Sequence, residues 1–216
     1  MGREIPILMS GPLVRATLEG AKPEYARSYP AKTQTRRPIK PQPGPDIVDF
    51  EYDPDADLWL GNTQEDNDLG YCSSWSARIG GPGDVLWVRE TWQPAMFDPS
   101  KPSDCLYRAD DNGGVEDLGE GRWIPSIHMP RWACRLRLPL VKVRIERVQW
   151  INEADAWAEG YGEHWRRRVK EAGADGPLGR PSPQAWFAML WDKLYGTWGQ
   201  NPWVAVYEWG QIEVSR

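Results

Sequence analysis

Thr35 follows Lys32 by three residues in the run Lys32-Thr33-Gln34-Thr35-Arg36-Arg37-Pro38, and this pair has the residue types needed for acyl transfer. A threonine hydroxyl is a poor nucleophile until a base removes its proton. A lysine amine becomes such a base when burial or a neighbouring cation favours its neutral form, and Arg36 and Arg37 are the neighbouring cations here. The spacing works if the backbone bends between the two residues, which makes the run a turn. The oxyanion formed as a carbonyl is attacked could be held by an arginine near that turn or by backbone N–H groups of the bend.

These residues have to be positioned by a chain of 216 residues, long enough to bury a substantial core. One domain spanning 1–216 is expected, with loop insertions near 21–31, 38–83, 110–121 and 163–181. No charged-then-apolar pattern opens the sequence, and no stretch approaches the roughly 18 consecutive apolar residues that cross a bilayer. A cytoplasmic protein without a membrane partner is the expectation. Cys72, Cys105 and Cys134 are odd in number and widely spaced, so they suggest reduced thiols and not a disulfide framework. His128 and His164 are the two histidines, and neither has the spacing of a zinc or iron site. No metal and no cofactor is expected. The net charge of −5 argues against tight, sequence-independent duplex binding, whereas 14 tryptophans and an excess of arginine over lysine provide planar stacking surfaces.

Several elements are legible along the chain. Ile5 to Met9 suggests a short strand, and Ser10-Gly11-Pro12 opens a short helix through Leu18 that Gly20 ends. The segment from Pro38 to Gly83 is rich in Pro, Gly, Asp and Asn and is expected to be a long loop. Val85 to Glu90 is a strand introduced by Gly81-Pro82-Gly83-Asp84, and Leu106 to Arg108 another. Cys134 to Trp150 alternates, with Val141, Val143, Ile145 and Arg147 on one side, as a long half-buried strand does. Asn152 caps a helix over Glu153–Glu159 that stops at Gly160; Ser182-Pro183 opens an amphipathic helix ending at Gly196; Pro202 to Trp209 closes the pattern as a strand. The fold class is α+β, with about five or six mostly antiparallel strands and flanking short helices forming a small barrel or curled sheet.

Three blocks in order resemble the ASCH family, a branch of the PUA-like small barrels, in the version common among bacteriophage and prophage proteins. They are Ile7-Leu8-Met9-Ser10-Gly11-Pro12-Leu13-Val14-Arg15-Ala16 leading to Lys32–Pro38, then Gly83-Asp84-Val85-Leu86-Trp87-Val88-Arg89-Glu90-Thr91-Trp92, then Ser126-Ile127-His128-Met129-Pro130-Arg131-Trp132. The helix Glu153 to Gly160 and the ending Leu190-Trp191-Asp192 to Asn201-Pro202-Trp203-Val204 also fit. The family's Gly-x-Lys-x-x-Thr-x-Arg turn is interrupted, because residues Ala21 to Ala31 separate Gly20 from Lys32. Lys22 keeps the usual distance from Gly20 but has no threonine three residues on, so the motif falls on Lys32, Thr35 and Arg37, with Lys22 as the other candidate.

Some ASCH proteins hydrolyse the amide of N4-acetylcytidine. The resemblance implies the same amidohydrolase activity here on N4-acylated cytosine or cytidine, with Lys32, Thr35 and Glu159 as the catalytic set. Glu159 would protonate the departing exocyclic nitrogen or hold the pyrimidine edge. Arg36, Arg37, Glu90, His128 and Arg131 are the implied substrate contacts, and Trp87, Trp92 and Trp132 could stack a base. The implied partner is a small nucleoside or nucleobase. The alternatives are a module that binds RNA or a modified base without catalysis, and a ribonuclease.

Overall fold

The computed structural model describes residues 2–19, 31–63, 75–95, 98–110, 122–162 and 181–215. Lys22 and most of three of the four expected insertions lie outside these residues. The architecture is mixed α+β, with strands dominant and helices few and short.

The main sheet is organised by one long strand, β9 (Leu136–Arg147). Its first half pairs antiparallel with β6 (Val85–Arg89), and its second half with β10 (Trp203–Trp209). β1 (Glu4–Leu8) lies parallel to β6, and β2 (Gln34–Pro38) antiparallel to β10. β11 (Glu213–Val214) adds to β9. The order is therefore β1-β6-β9-β10-β2. The two ends of this order share no backbone ladder among the described residues, so the sheet is not closed into a barrel. The seam is crossed by a side chain instead: Arg37 Nη2 of β2 donates to the carbonyl of Leu8 in β1 at 2.7 Å.

The alternation along β9 departs from the simple reading. Leu136, Leu138 and Leu140 are buried, then Val143, whereas Val141 is 60% exposed. The β10 register accounts for it: Glu208 pairs with Lys142 and Trp209 with Leu140, so Val141 is an extra residue that has no partner. Such a bulge flips the parity of everything beyond it, which lets apolar residues at even and then odd positions face the same core.

That core joins Ile7, Leu86, Val88, the β9 leucines, and Trp203, Ala205, Tyr207 and Trp209 of β10. The opposite face of β10, Val204 and Val206, packs against α2 (Glu153–Ala156), the π-type turn Trp157–Tyr161 that continues it, and α3 (Pro183–Tyr195) through Ala156, Tyr161, Trp186, Phe187 and Trp191. β10 is thus buried on both faces. Asn152 caps α2 by accepting from the Asp155 amide, and Ser182 caps α3 by accepting from the Ala185 amide. α1 (Gly11–Leu18) buries Leu13, Val14, Ala16 and Thr17.

The stretch expected to be a loop over 38–83 contains a three-stranded antiparallel sheet: β3 (Ile47–Asp53), β4 (Leu58–Thr63) and β5 (Trp75–Ala77). Its exposed face carries Asp49 and Glu51, and an Asp-rich turn joins its first two strands, so composition hid a period of two. A third, two-stranded piece pairs β7 (Trp92–Pro94) with β8 (Cys105–Tyr107). No helix among the described residues is long and apolar enough to cross a membrane.

Candidate functional site

The motif run is a strand and not a turn. From Gln34 onward it forms β2, so successive side chains point to opposite faces. Gln34 and Arg36 turn towards the α2 side, where Gln34 Nε2 donates to the Asp155 carbonyl at 3.1 Å and to its carboxylate at 3.2 Å. Thr35 and Arg37 are on the other face, and Arg37 Nη1 donates to Thr35 Oγ1 at 2.7 Å. Lys32 precedes the strand, tied by its amide to the Ala16 carbonyl of α1.

The structure brings Lys32 and Glu159 together. Lys32 Nζ donates to Glu159 Oε2 at 2.9 Å, to the Glu159 carbonyl at 2.8 Å and to the Gln34 carbonyl at 2.6 Å. Three acceptors match the three protons of an ammonium. Burial is complete, with Lys32 0%, Glu159 3% and Thr35 1% exposed. Burial lowers the affinity of Lys32 for its proton. The Glu159 carboxylate opposes this, Arg37 and Arg36 add to the lowering, and the amine is brought down to about 8. The indole of Trp209 lies under Nζ, 5.8 Å from it to the ring centroid, and its own Nε1 is buried without a hydrogen-bond partner among the described residues. Trp209 sits at the bulge in the β9–β10 ladder. No hydrogen bond joins Lys32 to Thr35: the hydroxyl of Thr35 accepts from Arg37, and the third acceptor of Lys32 is the carbonyl of the residue before Thr35.

Glu159 is presented by the π-type turn, where Gly160 has φ +106°. A Cβ there would stand 3.2 Å from the Ala16 Cβ and 3.5 Å from Lys32 Cδ. The backbone conformation therefore demands glycine at this position, and an added Cβ would also crowd Ala16. Gly160→Ala is expected to cost about 2 kcal/mol, read as a lower urea midpoint with an unchanged slope. An unaltered midpoint would show that the turn has another way to seat Glu159.

Arg36 is 1% exposed and its guanidinium meets three carboxylates. Nη1 donates to Glu159 Oε1 at 3.1 Å; Nη2 donates to Glu146 at 2.5 Å and Asp155 at 2.9 Å; Nε donates to Glu146 at 3.2 Å. Sequence reasoning named Arg36 but not Glu146 or Asp155. The one available signal was Asp155, which stands one helical turn before Glu159 on the same predicted helix. Arg37 is engaged with Thr35, the Arg36 carbonyl and the Leu8 carbonyl.

The other expected substrate contacts gather elsewhere. Glu90, 1% exposed, takes a two-pronged interaction from Arg135 at 2.8 and 2.9 Å, and burial pushes its carboxyl up although Arg135 opposes the shift. The Arg135 guanidinium stacks 4.0 Å over Tyr107. Arg131 pairs with Glu4 at 2.7 and 2.5 Å and lies over Trp87, while His128 is exposed in a short turn. No hydrogen bond or ion pair links Glu90, His128 or Arg131 to Lys32, Thr35 or Glu159.

No family model, curated protein or solved structure matches the chain. What the site can do therefore rests on its own geometry. A buried amine with a lowered proton affinity and a carboxylate on it form a pair suited to proton transfer, and β2, which follows, carries a buried hydroxyl that accepts from a guanidinium. Among the described residues, no group of three or more His, Cys, Asp or Glu is arranged to hold a metal ion.

Proposed function

We propose that this chain is an ASCH-type, PUA-like domain of small-barrel design that removes the acyl group from N4-acylated cytosine or cytidine. The observation that carries the reading is the buried Lys32–Glu159 contact just before β2, the strand on which the Thr35 hydroxyl accepts from Arg37. Arg37 stabilises negative charge on Oγ1 and so makes the hydroxyl easier to deprotonate.

In this reading Nζ of neutral Lys32 exchanges the Gln34 carbonyl for Thr35 Oγ1 and takes its proton. Oγ1 attacks the acyl carbon. As the tetrahedral intermediate collapses, the C–N4 bond breaks, and the Lys32 ammonium returns the proton to N4 of the leaving cytosine. Water then hydrolyses the acyl-threonine ester by the same proton path. The unpartnered indole N–H of Trp209 is a donor available to the acyl oxygen. Glu159 has both oxygens accepting from cations, which suits it to holding Lys32 better than to protonating the leaving nitrogen.

The pH dependence follows from the amine. The base works when neutral, so kcat/KM is expected to rise about tenfold per pH unit below the Lys32 value of about 8 and to level above it. A profile flat from pH 6 to 9 in the folded protein would remove Lys32 as the base.

The deciding assay follows the ultraviolet change as purified protein is incubated with N4-acetylcytidine. Turnover that is lost in Thr35→Ala and Lys32→Ala supports the amidohydrolase. No turnover by the folded wild type overturns it and favours a module that binds RNA or a modified base.

A further inference from the structure

The two oxygens of Glu159 are divided between two cations: Oε2 accepts from Lys32 and Oε1 from Arg36. Arg36 is also held by Glu146 and Asp155, and both of these carboxylates meet Arg144, at 3.0 Å each. Arg144 continues to Glu208, which lies 4.0 Å from Lys142. Side-chain exposure climbs along this path, from 0% at Lys32 and Arg36 to 14% at Glu146, 16% at Asp155, 23% at Arg144 and 60% at Lys142. A continuous line of alternating charge thus runs from the buried amine to solvent.

We propose that Arg36 is a positioning residue that takes one oxygen of Glu159 away from Lys32, and so makes the protonation of Lys32 depend on Glu146 and Asp155 near the surface. The role in turnover rests on Lys32 being the catalytic base. The coupling itself needs no substrate.

The groups facing each cation set the direction. Lys32 faces Glu159 from the turn after α2, Arg36 and Arg37 from β2, the Trp209 ring from β10, and the carbonyls of Gln34 and Glu159. Arg36 faces Glu146 from β9, Asp155 from α2, Glu159, and the Phe187 ring of α3 at 5.7 Å. Removing the Arg36 charge takes a cation away from Lys32 and frees Glu159 for it, and both effects favour the ammonium. Neutralising Asp155 or Glu146 turns Arg36 more fully onto Glu159 and leaves its charge less compensated, and both effects disfavour the ammonium.

The test is an NMR titration of the full chain labelled at its lysines, with the Lys32 signal identified by its loss in Lys32→Met. Arg36→Gln is expected to raise the Lys32 midpoint by about one pH unit, a tenfold gain in proton affinity, and Asp155→Asn to lower it by about half a unit. Arg36→Lys should lie between wild type and Arg36→Gln. If Arg36→Gln does not fold, Asp155→Asn and Glu146→Gln, which alter partly exposed carboxylates, carry the test. Midpoints equal to wild type in the folded variants overturn the proposal, whether or not the protein deacylates anything. Midpoints that move while the kcat/KM profile on N4-acetylcytidine stays fixed uphold the coupling and count against Lys32 as the catalytic base.

Discussion

Thr35→Ala is expected to reduce turnover of N4-acetylcytidine by at least about 10³-fold, because it deletes the atom that would form the acyl intermediate and leaves nothing else on that face of β2 to replace it. Thr35→Ser should keep part of the activity. The fold is expected to tolerate the alanine well. The Arg37 guanidinium loses one acceptor but keeps the Arg36 and Leu8 carbonyls at 2.9 and 2.7 Å, so the cost is about 1 kcal/mol. Steady-state kinetics read against a thermal melt separate the two effects. A variant that melts like wild type and still turns over the substrate at the wild-type rate would exclude Thr35 as nucleophile. A variant that loses both together would make Thr35 a structural residue.

Glu159→Ala should have the largest effect on stability. It leaves a fully buried ammonium and a buried guanidinium short of their shared counter-ion, a situation that costs about 3–5 kcal/mol. A domain is commonly stable by about 5–15 kcal/mol, so the loss is a large fraction of the whole. Glu159→Gln should recover only part of it. Its amide offers one acceptor and one donor, whereas both Lys32 Nζ and Arg36 Nη1 are donors, so one of the two contacts must fail. Lys32→Met is expected to cost less than Glu159→Ala, because Glu159 then still has Arg36. Urea denaturation of the three variants gives the ranking. Equal stabilities for Glu159→Ala and wild type would mean that the buried pair is replaced by water at no cost, and the site would have to be far more open than its burial shows.

Five elements were legible in the sequence because they follow the ordinary rules. β1, α1, β6, α3 and β10 carry apolar periodicity with Pro, Ser and Gly at their ends, and the structure places them within a residue or two of expectation. β2 was not legible. Its run Gln34-Thr35-Arg36-Arg37-Pro38 has no apolar residue except the proline, yet Gln34, Thr35 and Arg36 are buried. The buried Arg36 is compensated by Glu146 and Glu159, which arrive from 110 and 123 residues away, and nothing local records that arrangement. The Val141 bulge was hidden for a related reason, since a single extra residue leaves each half of β9 correctly alternating. Lys32, Thr35 and Glu159 were named from their motif and position. Sequence showed neither that Lys32 would be tied to Glu159, 127 residues away, nor that Thr35 would be addressed by Arg37, which depends on the run being a strand and not a turn.

Among the described residues β2 has one ladder partner, β10, and Tyr207 is the residue opposite Thr35. During synthesis the segment carrying Lys32 and Thr35 therefore leaves the ribosome long before the strand that will align it. Synthesis proceeds at about 5–20 residues per second, so β2 waits on the order of ten seconds or more for its partner. Here the candidate site is among the last parts to assemble, and a nascent chain halted before β10 leaves β2 without the strand that aligns it.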